Sequence, residues 1–283
     1  MKILAFGEII FDILNGNASM GGAPLNFCAH AVRAGAEAYL LSAVGEDALG
    51  DEALKKIPRY GVSAEYITRS KEYPTGSCVV SLDRAGVPSY KITENTAYDS
   101  IIVHKELPEE LDALYFGTLA LRSSRNRKTL KKLLKGNEFG EVFVDLNIRP
   151  PFYSKESVLM GLENATILKV SEEELPLVMR IVFGGGYTID TAIYVLSHKF
   201  PNLKLILLTR GERGSLAYDQ YDGKIYTCDA VKIEVVSTVG AGDSFSATFL
   251  VNYLRGDSCK VSLQKASEVS AYVVSREGAI PED

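Results

Sequence analysis

Residues 237 to 245 read Ser-Thr-Val-Gly-Ala-Gly-Asp-Ser-Phe, two glycines one residue apart followed at once by a carboxylate. Phe245, Phe249 and Leu250 then recur on one face of a helix. Glycine lets the backbone approach a ligand closely, and the unpaired N–H groups and dipole of a helix N-terminus attract negative charge. Such a segment suits a phosphate, or the charge that develops on a phosphoryl group in transfer. Asp243 has two readings here. It is a first-turn acid that complements the dipole, or a base placed to take a proton from a hydroxyl attacking phosphorus.

Four further segments combine polar groups with glycine or proline. Gly21-Gly22-Ala23-Pro24-Leu25-Asn26 is a glycine turn running into a helix, with Asp12 a few residues upstream. Asn26 and Asp12 offer the donors and acceptors that sugar hydroxyls need, although a turn with an N-cap has the same composition. Leu207 to Ser215 ends a buried-strand pattern in Thr209, Arg210, Gly211 and Gly214, where ligands of open parallel sheets bind; a plain β-turn reads equally well. Asp145-Leu146-Asn147-Ile148-Arg149-Pro150-Pro151 also ends a strand and faces the same crevice or caps its turn. Ile167 to Leu175 places Lys169, Ser171 and Glu174 after another strand, its glutamates either dipole partners of a first helical turn or, in the case of one of them, a holder of water around Mg²⁺.

The elements that must position these residues follow an α/β alternation. Lys2 to Phe6 and Ile9 to Leu14 read as strands, Gly16 to Gly22 as a loop, Asn26 to Ala34 as a helix ended by Gly35, and Ala38 to Val44 as a strand. Asp47 to Lys56 is helical, and Gly61 to Ile67 is the turn and strand returning to the sheet. Thr75 to Thr93 departs from this rhythm: strand, turn at 84–88 and strand form a hairpin, which joins the strand carrying Asp12 as a lid. Strands in ALYFG, EVFVDLN, ATILKVS and LKLILLT then alternate with helices at Arg125 to Lys135 and Thr188 to Lys199, and Gly184-Gly185-Gly186 is a turn between helices. An apolar strand at Val231 to Val236 leads into a last helix near Gly242. The pattern predicts a wound, mainly parallel sheet with helices on both faces.

Composition narrows the classes. Of 283 residues, 46% are hydrophobic and 24% charged, with 31 Lys and Arg against 36 Asp and Glu and a formal charge of −5. Collagen, long coiled coil and wholesale disorder are excluded, and a mildly acidic chain disfavours nucleic acid and anionic lipid as partners. Arg122 to Lys135 holds seven basic residues and no acid, but Leu130, Leu133 and Leu134 make it a solvated helix rather than a nucleic-acid surface. Cys28, Cys78, Cys228 and Cys259 are scattered, and His30, His104 and His198 add no metal-ligand spacing, so zinc is not expected. Glu8 and Asp12 interrupt the apolar N-terminus, which reads as a strand rather than a signal; the protein is expected to be cytoplasmic. Neither G-x-x-x-x-G-K-[ST] nor G-x-G-x-x-G occurs.

Taken together, GEIIFD, GGAPLNFCAHAVRAGAEAYLLSAVGEDALGDEAL, DLNIRPPFY, ILKVSEEEL, LLTRGERGS, STVGAGDSFSATFL and GAIPED resemble, in order along nearly the whole chain, the ribokinase-like PfkB family of carbohydrate kinases, and its fructokinases most. The resemblance implies a three-layer αβα ribokinase-like fold spanning residues 1 to 283 as one kinase domain, with a lid from about 9–20 and 75–100. It implies that Asp243 is the general base and that the amides of Gly240, Ala241 and Gly242 form the anion hole. Asp12, Gly22 and Asn26 would hold the sugar, with Arg149 meeting sugar or phosphate; Thr209, Gly211 and Gly214 would serve the nucleotide phosphates, and Glu174 would order hydrated Mg²⁺.

The implied reaction moves the γ-phosphoryl of Mg-ATP to a primary hydroxyl of fructose. Other acceptors of the family, namely ribose, 2-keto-3-deoxygluconate or a nucleoside, are the alternatives, followed by a sugar-binding regulator without turnover. Ser237 stands where many members carry an aspartate that helps bind a monovalent cation, so the resemblance leaves K⁺ dependence open. A homodimer is expected, because exposed sheet edges invite pairing.

Overall fold

The computed structural model describes residues 1–82 and 88–282. In chain order the strands and helices are β1 (Lys2–Phe6), β2 (Ile10–Leu14), β3 (Asn17–Gly21), α1 (Ala23–Arg33), β4 (Glu37–Gly45), α2 (Ala48–Lys56), β5 (Ile67–Ser70), β6 (Gly76–Leu82), β7 (Pro88–Ile92), β8 (Ala113–Phe116) and α3 (Ser124–Gly136). There follow β9 (Glu141–Asp145), α4 (Lys155–Asn164), β10 (Ile167–Ser171), α5 (Leu175–Phe183), α6 (Ile189–Lys199), β11 (Leu205–Thr209), β12 (Ser215–Asp219), β13 (Lys224–Cys228), α7 (Ala241–Leu254) and α8 (Cys259–Val274).

A nine-stranded sheet runs in the order β13-β12-β11-β10-β9-β8-β1-β4-β5. Every pairing from β11 to β5 is parallel, and β12 and β13 close one edge as an antiparallel pair. Alternation along the strands divides the core into two layers, because successive side chains of a strand point to opposite faces. Leu4, Phe6, Leu114, Phe116, Val142 and Val144 pack with Leu130 of α3, Leu162 of α4, Val178 of α5 and Leu196 of α6. Ile3, Ala5, Ala113, Tyr115 and Phe143 pack on the other face with Phe27 of α1, Ala53 of α2, Phe249 of α7 and Leu263 of α8. Both faces are covered, giving the expected three-layer αβα arrangement. No helix among the described residues is long and apolar enough to cross a membrane.

A separate four-stranded sheet, β3-β2-β6-β7, contains the expected hairpin and joins it to the strand bearing Asp12. β2 pairs parallel with β6 and antiparallel with β3, and Asp12 lies opposite both Cys78 and Ser19. The hairpin's turn at 84–88 falls, up to Val87, outside the described residues.

Three elements differ from the sequence expectation. Residues 17 to 21 are a strand rather than a loop: Asn15 and Gly16 take φ of 50° and 80°, the left-handed pair of a tight hairpin, and fold β3 back on β2. Val231 to Val236 form no strand. The N–H groups of Val236 and Ser237 go instead to the Val274 carbonyl at the end of α8, at 2.8 Å and 3.1 Å, and Val235 and Val236 stay 57% and 54% exposed. Helix α7 buries every residue from Asp243 to Asn252 instead of a single face, because it is wedged between α1, α8 and the sheet. Gly184 to Gly186 form the turn between α5 and α6, as expected.

Candidate active site

The parallel strands end together. Register places Phe116 of β8 beside Val144 of β9, Asp145 beside Lys169 of β10, and Ser171 beside Thr209 of β11. The loops that follow, and the starts of α1 and α7, share this carboxyl edge, the place where ligands meet open α/β sheets.

Gly240 is the N-cap of α7, with φ 81°, and its α-carbon leaves no room for a side chain: an added Cβ would lie 2.6 Å from the Ala279 Cα and carbonyl oxygen. The C-terminal Gly-Ala-Ile-Pro segment is therefore packed against the glycine turn, and His30 Nε2 pairs with the Ala279 carbonyl at 2.8 Å. The Ala241 N–H is drawn back to the Thr238 carbonyl at 3.3 Å, while Gly242 and Asp243 are first-turn donors with no intrahelical acceptor. The three residues expected to form an anion hole, Gly240, Ala241 and Gly242, lie at the N-cap and first turn of α7.

Asp243 is 8% exposed and accepts a hydrogen bond from Asn26 Nδ2 at 2.8 Å. Burial pushes its carboxyl up to about 6; the Asn26 bond and the charges of Lys169 and Arg149 pull against this, and Asp145 adds to it. Asn26 is in the first turn of α1, whose start is fixed by Gly22 at φ 116°, where a side chain would overlap the Glu8 carbonyl oxygen. Asp12 is half-buried on β2, its carboxyl raised by burial and drawn back by a Cys78 hydrogen bond and by Arg149. Arg149 itself is exposed in the loop after β9, and its charge lowers the carboxyls of Asp12, Glu8 and Asp243 alike.

Three charged residues of this region had no assigned role in the sequence. Glu8 is buried, and desolvation raises its carboxyl to about 7, with the Asp243 charge adding to the rise. Asp145 is fully buried, and its Oδ2 accepts from Lys169 Nζ at 2.8 Å and from Ser246 Oγ at 3.2 Å. Its Oδ1 has no partner among the described residues. Lys169 stays charged despite burial, which works against its ionisation, because Asp145, Glu174 and Asp243 hold the proton on. A Cβ on Gly242 would be 3.0 Å from Lys169 Nζ, so this buried cation borders the helix start. A charge inside an otherwise apolar strand, as in Ile-Leu-Lys-Val, is the signal that marks such a residue.

Glu174 has a structural task. One carboxylate oxygen accepts the Ile148 N–H and the other accepts the Ser171 N–H at 2.8 Å, tying the loop after β9 to the end of β10. Thr209 ends β11, and Gly211 and Gly214 take φ of 56° and 78°; a side chain at Gly214 would collide with the Cys228 carbonyl. The Arg210 N–H closes the loop on the Gly214 carbonyl at 2.8 Å.

A buried carboxylate at a helix start, on the carboxyl edge of a three-layer α/β sheet, is chemically suited to the phosphorylation of a hydroxyl. A family model described as pfkB family carbohydrate kinase matches residues 3–283, and the chain belongs to that family of carbohydrate kinases. It is 26% identical over 310 residues to Probable fructokinase-5 of Arabidopsis thaliana, covering 99% of this chain and 93% of the relative. Among solved structures it is similar to fructokinase from Vibrio cholerae O395 in its fructose, ADP and calcium ion bound form, with a TM-score of 0.85, 19% identity and coverage of 99% and 94%. Aminoimidazole riboside kinase from Salmonella enterica, complexed with aminoimidazole riboside and an ATP analogue, gives a TM-score of 0.82 at 20% identity, with coverage of 99% and 95%.

Proposed function

We propose that this carbohydrate kinase is a fructokinase that transfers the γ-phosphoryl of ATP to a primary hydroxyl of fructose. The observation that carries the reading is Asp243, a buried carboxylate at the start of α7, held by Asn26 from the turn that Gly22 opens. In this reading Asp12, Asn26 and Arg149 bind the sugar hydroxyls and Asp243 takes the proton of the one that attacks. The new bond joins that oxygen to the γ-phosphorus as the bond to the ADP oxygen breaks, and the charge on the phosphoryl oxygens is met by the amides at 240–242 and by Lys169. Thr209, Gly211 and Gly214 hold the nucleotide phosphates.

No group of three or more His, Cys, Asp or Glu side chains suited to a metal occurs among the described residues. Mg²⁺ would therefore be held mostly by phosphate oxygens and water, with few protein ligands. Glu174 and the unpartnered Oδ1 of Asp145 would accept hydrogen bonds from its water, and Mg²⁺ would neutralise phosphate charge. The four-stranded sheet is the lid in this account, formed from about 9–20 and 75–100 and closing over the sugar; its edge strands β3 and β7 are where a second copy would pair into a homodimer.

Fructose is favoured by the fructokinase relative, and a riboside by the aminoimidazole riboside kinase neighbour. ADP release with Mg-ATP across fructose, glucose, mannose, ribose, adenosine and 2-keto-3-deoxygluconate, with and without K⁺, separates them. Fructose-selective turnover is expected; equal or better turnover of ribose or adenosine would replace fructose as the acceptor.

A further inference from the structure

Helix α1 reaches the reaction centre with more than Asn26. Residues 26, 30 and 33 are spaced i, i+4 and i+7, so their side chains leave α1 on one face. Asn26 Nδ2 holds the Asp243 carboxylate at 2.8 Å. One turn further on, His30 Nε2 is 2.8 Å from the Ala279 carbonyl, and Arg33 Nη2 donates to the Pro281 carbonyl at 2.5 Å. A carbonyl only accepts, so Nε2 carries the hydrogen. Burial above all, and the Arg33 charge, lower the basicity of the ring against the pull of the Ala279 bond, so it is neutral at neutral pH.

Ala279 is where this tie meets the glycine turn. A Cβ on Gly240 would be 2.6 Å from the Ala279 α-carbon and carbonyl oxygen, so the two backbones are in direct contact. Other sides of the turn are held from α8: Ser270 Oγ donates to the Ala241 carbonyl at 3.0 Å, and the Val274 carbonyl takes the N–H groups of Val236 and Ser237. Beyond α8, Gly278 at φ 81° turns the chain, Ile280 packs into the layer of α1 and α7, and Pro281 is buried. The carbonyl that His30 holds therefore belongs to the residue that Gly240 touches. His30 itself is 3% exposed, among buried Phe27, Cys28, Ala29 and Ala31. Packing alone asks for an apolar residue there; a buried imidazole costs free energy unless it is bonded, and what its bond adds is direction.

We propose that His30 is a positioning residue of the phosphoryl-transfer site: through Ala279 it braces Gly240, and with Asn26 on the same helix face it fixes the amides at the start of α7 relative to the Asp243 carboxylate. Arg33, on Pro281, anchors the far end of the same segment. Such spacing matters because reacting groups tolerate errors of only a fraction of an ångström. The effect on turnover rests on the kinase reading; the brace itself does not.

His30→Leu fills the buried site without a donor, and His30→Gln returns an N–H in place of Nε2. Two readouts separate the brace from the chemistry. The first uses no substrate: hydrogen exchange of the Ala241 and Ser244 amides, bonded to the Thr238 and Gly240 carbonyls, with β1 as internal control. Exchange at the turn is expected to rise ~tenfold or more in His30→Leu and to return towards the parent in His30→Gln, with β1 protected in both. Unchanged exchange at the turn, or an equal loss of protection in β1, overturns the brace. The second is steady-state phosphorylation of fructose by the same proteins. In His30→Leu, kcat should fall roughly tenfold or more with the fructose KM kept within about twofold, and His30→Gln should recover most of the loss. An unchanged kcat in His30→Leu, an equal fall in both variants, or a raised KM at constant kcat overturns the positioning role. Looser exchange in His30→Leu, with no sugar phosphorylated by the parent protein, removes the proposed function and leaves the brace.

Discussion

Asn26 Nδ2 donates to Asp243 Oδ2 at 2.8 Å, a buried hydrogen bond between the first turns of two helices 217 positions apart in sequence. It fixes the carboxylate against the glycine turn and favours its charged form, opposing the desolvation that raises the carboxyl. Asn26→Ala removes that opposition. The acid limb of the rate profile should move to higher pH, and turnover below the inflection should fall roughly fivefold, the share of a proton equilibrium that one hydrogen bond controls. A pH profile of kcat superimposable on that of the parent would detach Asn26 from the base.

As the proposed base, the same carboxyl is expected to set the pH dependence of the parent enzyme. Asp243 is raised to about 6 and must be ionised to accept a proton, so kcat/KM should climb with pH through about 6 and then level off. Glu8, raised to about 7 by burial and by the Asp243 charge, titrates in the same neighbourhood, so the pair is expected to broaden the limb, and Glu8→Gln to sharpen it. A profile flat from pH 5 to 8 would contradict the burial of Asp243.

Stability should run the other way. An acid whose folded value is raised from 3.8 to about 6 favours folding of its protonated form, so the penalty is absent below the unfolded value and complete above the folded one. Asp243→Asn, which can still accept from Asn26, is therefore expected to be more stable than the parent at pH 8, by on the order of 1–3 kcal/mol, and equal to it near pH 4. Denaturant titrations at the two pH values check this, and a destabilised variant at pH 8 would contradict it.

Lys169 and Asp145 form a buried pair at 2.8 Å with side chains 8% and 1% exposed. Removing one partner strands the other's charge, so Lys169→Met should cost about 3–5 kcal/mol. Adding Asp145→Asn removes the stranded charge and should recover part of that loss. Additive losses in this double-mutant cycle would show that the two groups are energetically independent.

Much of this arrangement is written locally in the chain. Gly22, Gly240 and Gly214 each take a positive φ beside a close backbone neighbour, so glycine turns mark where strands give way to the site. Asp243 and Asn26 follow from such turns because helix starts carry their own signals. The Asp145–Lys169 pair depends instead on the register of β9 against β10, a long-range fact that a lysine in an apolar strand hints at without naming its partner. Val231 to Val236 shows the reverse failure: β-prone residues take the partner that tertiary packing offers, here the Val274 carbonyl at the end of α8 rather than a strand. Asn15-Gly16 carried a readable hairpin signal, hidden by the small residues around it, and it created β3.

The central claim is that a buried carboxylate on the start of α7 deprotonates the sugar hydroxyl. The most direct measurement is kcat for phosphorylation of fructose by Asp243→Asn, with fructose and ATP affinities taken in parallel. A fall of ~10² to 10⁴ in kcat with both affinities kept is the predicted result. Near-parent turnover would contradict the account and remove Asp243 from the chemistry.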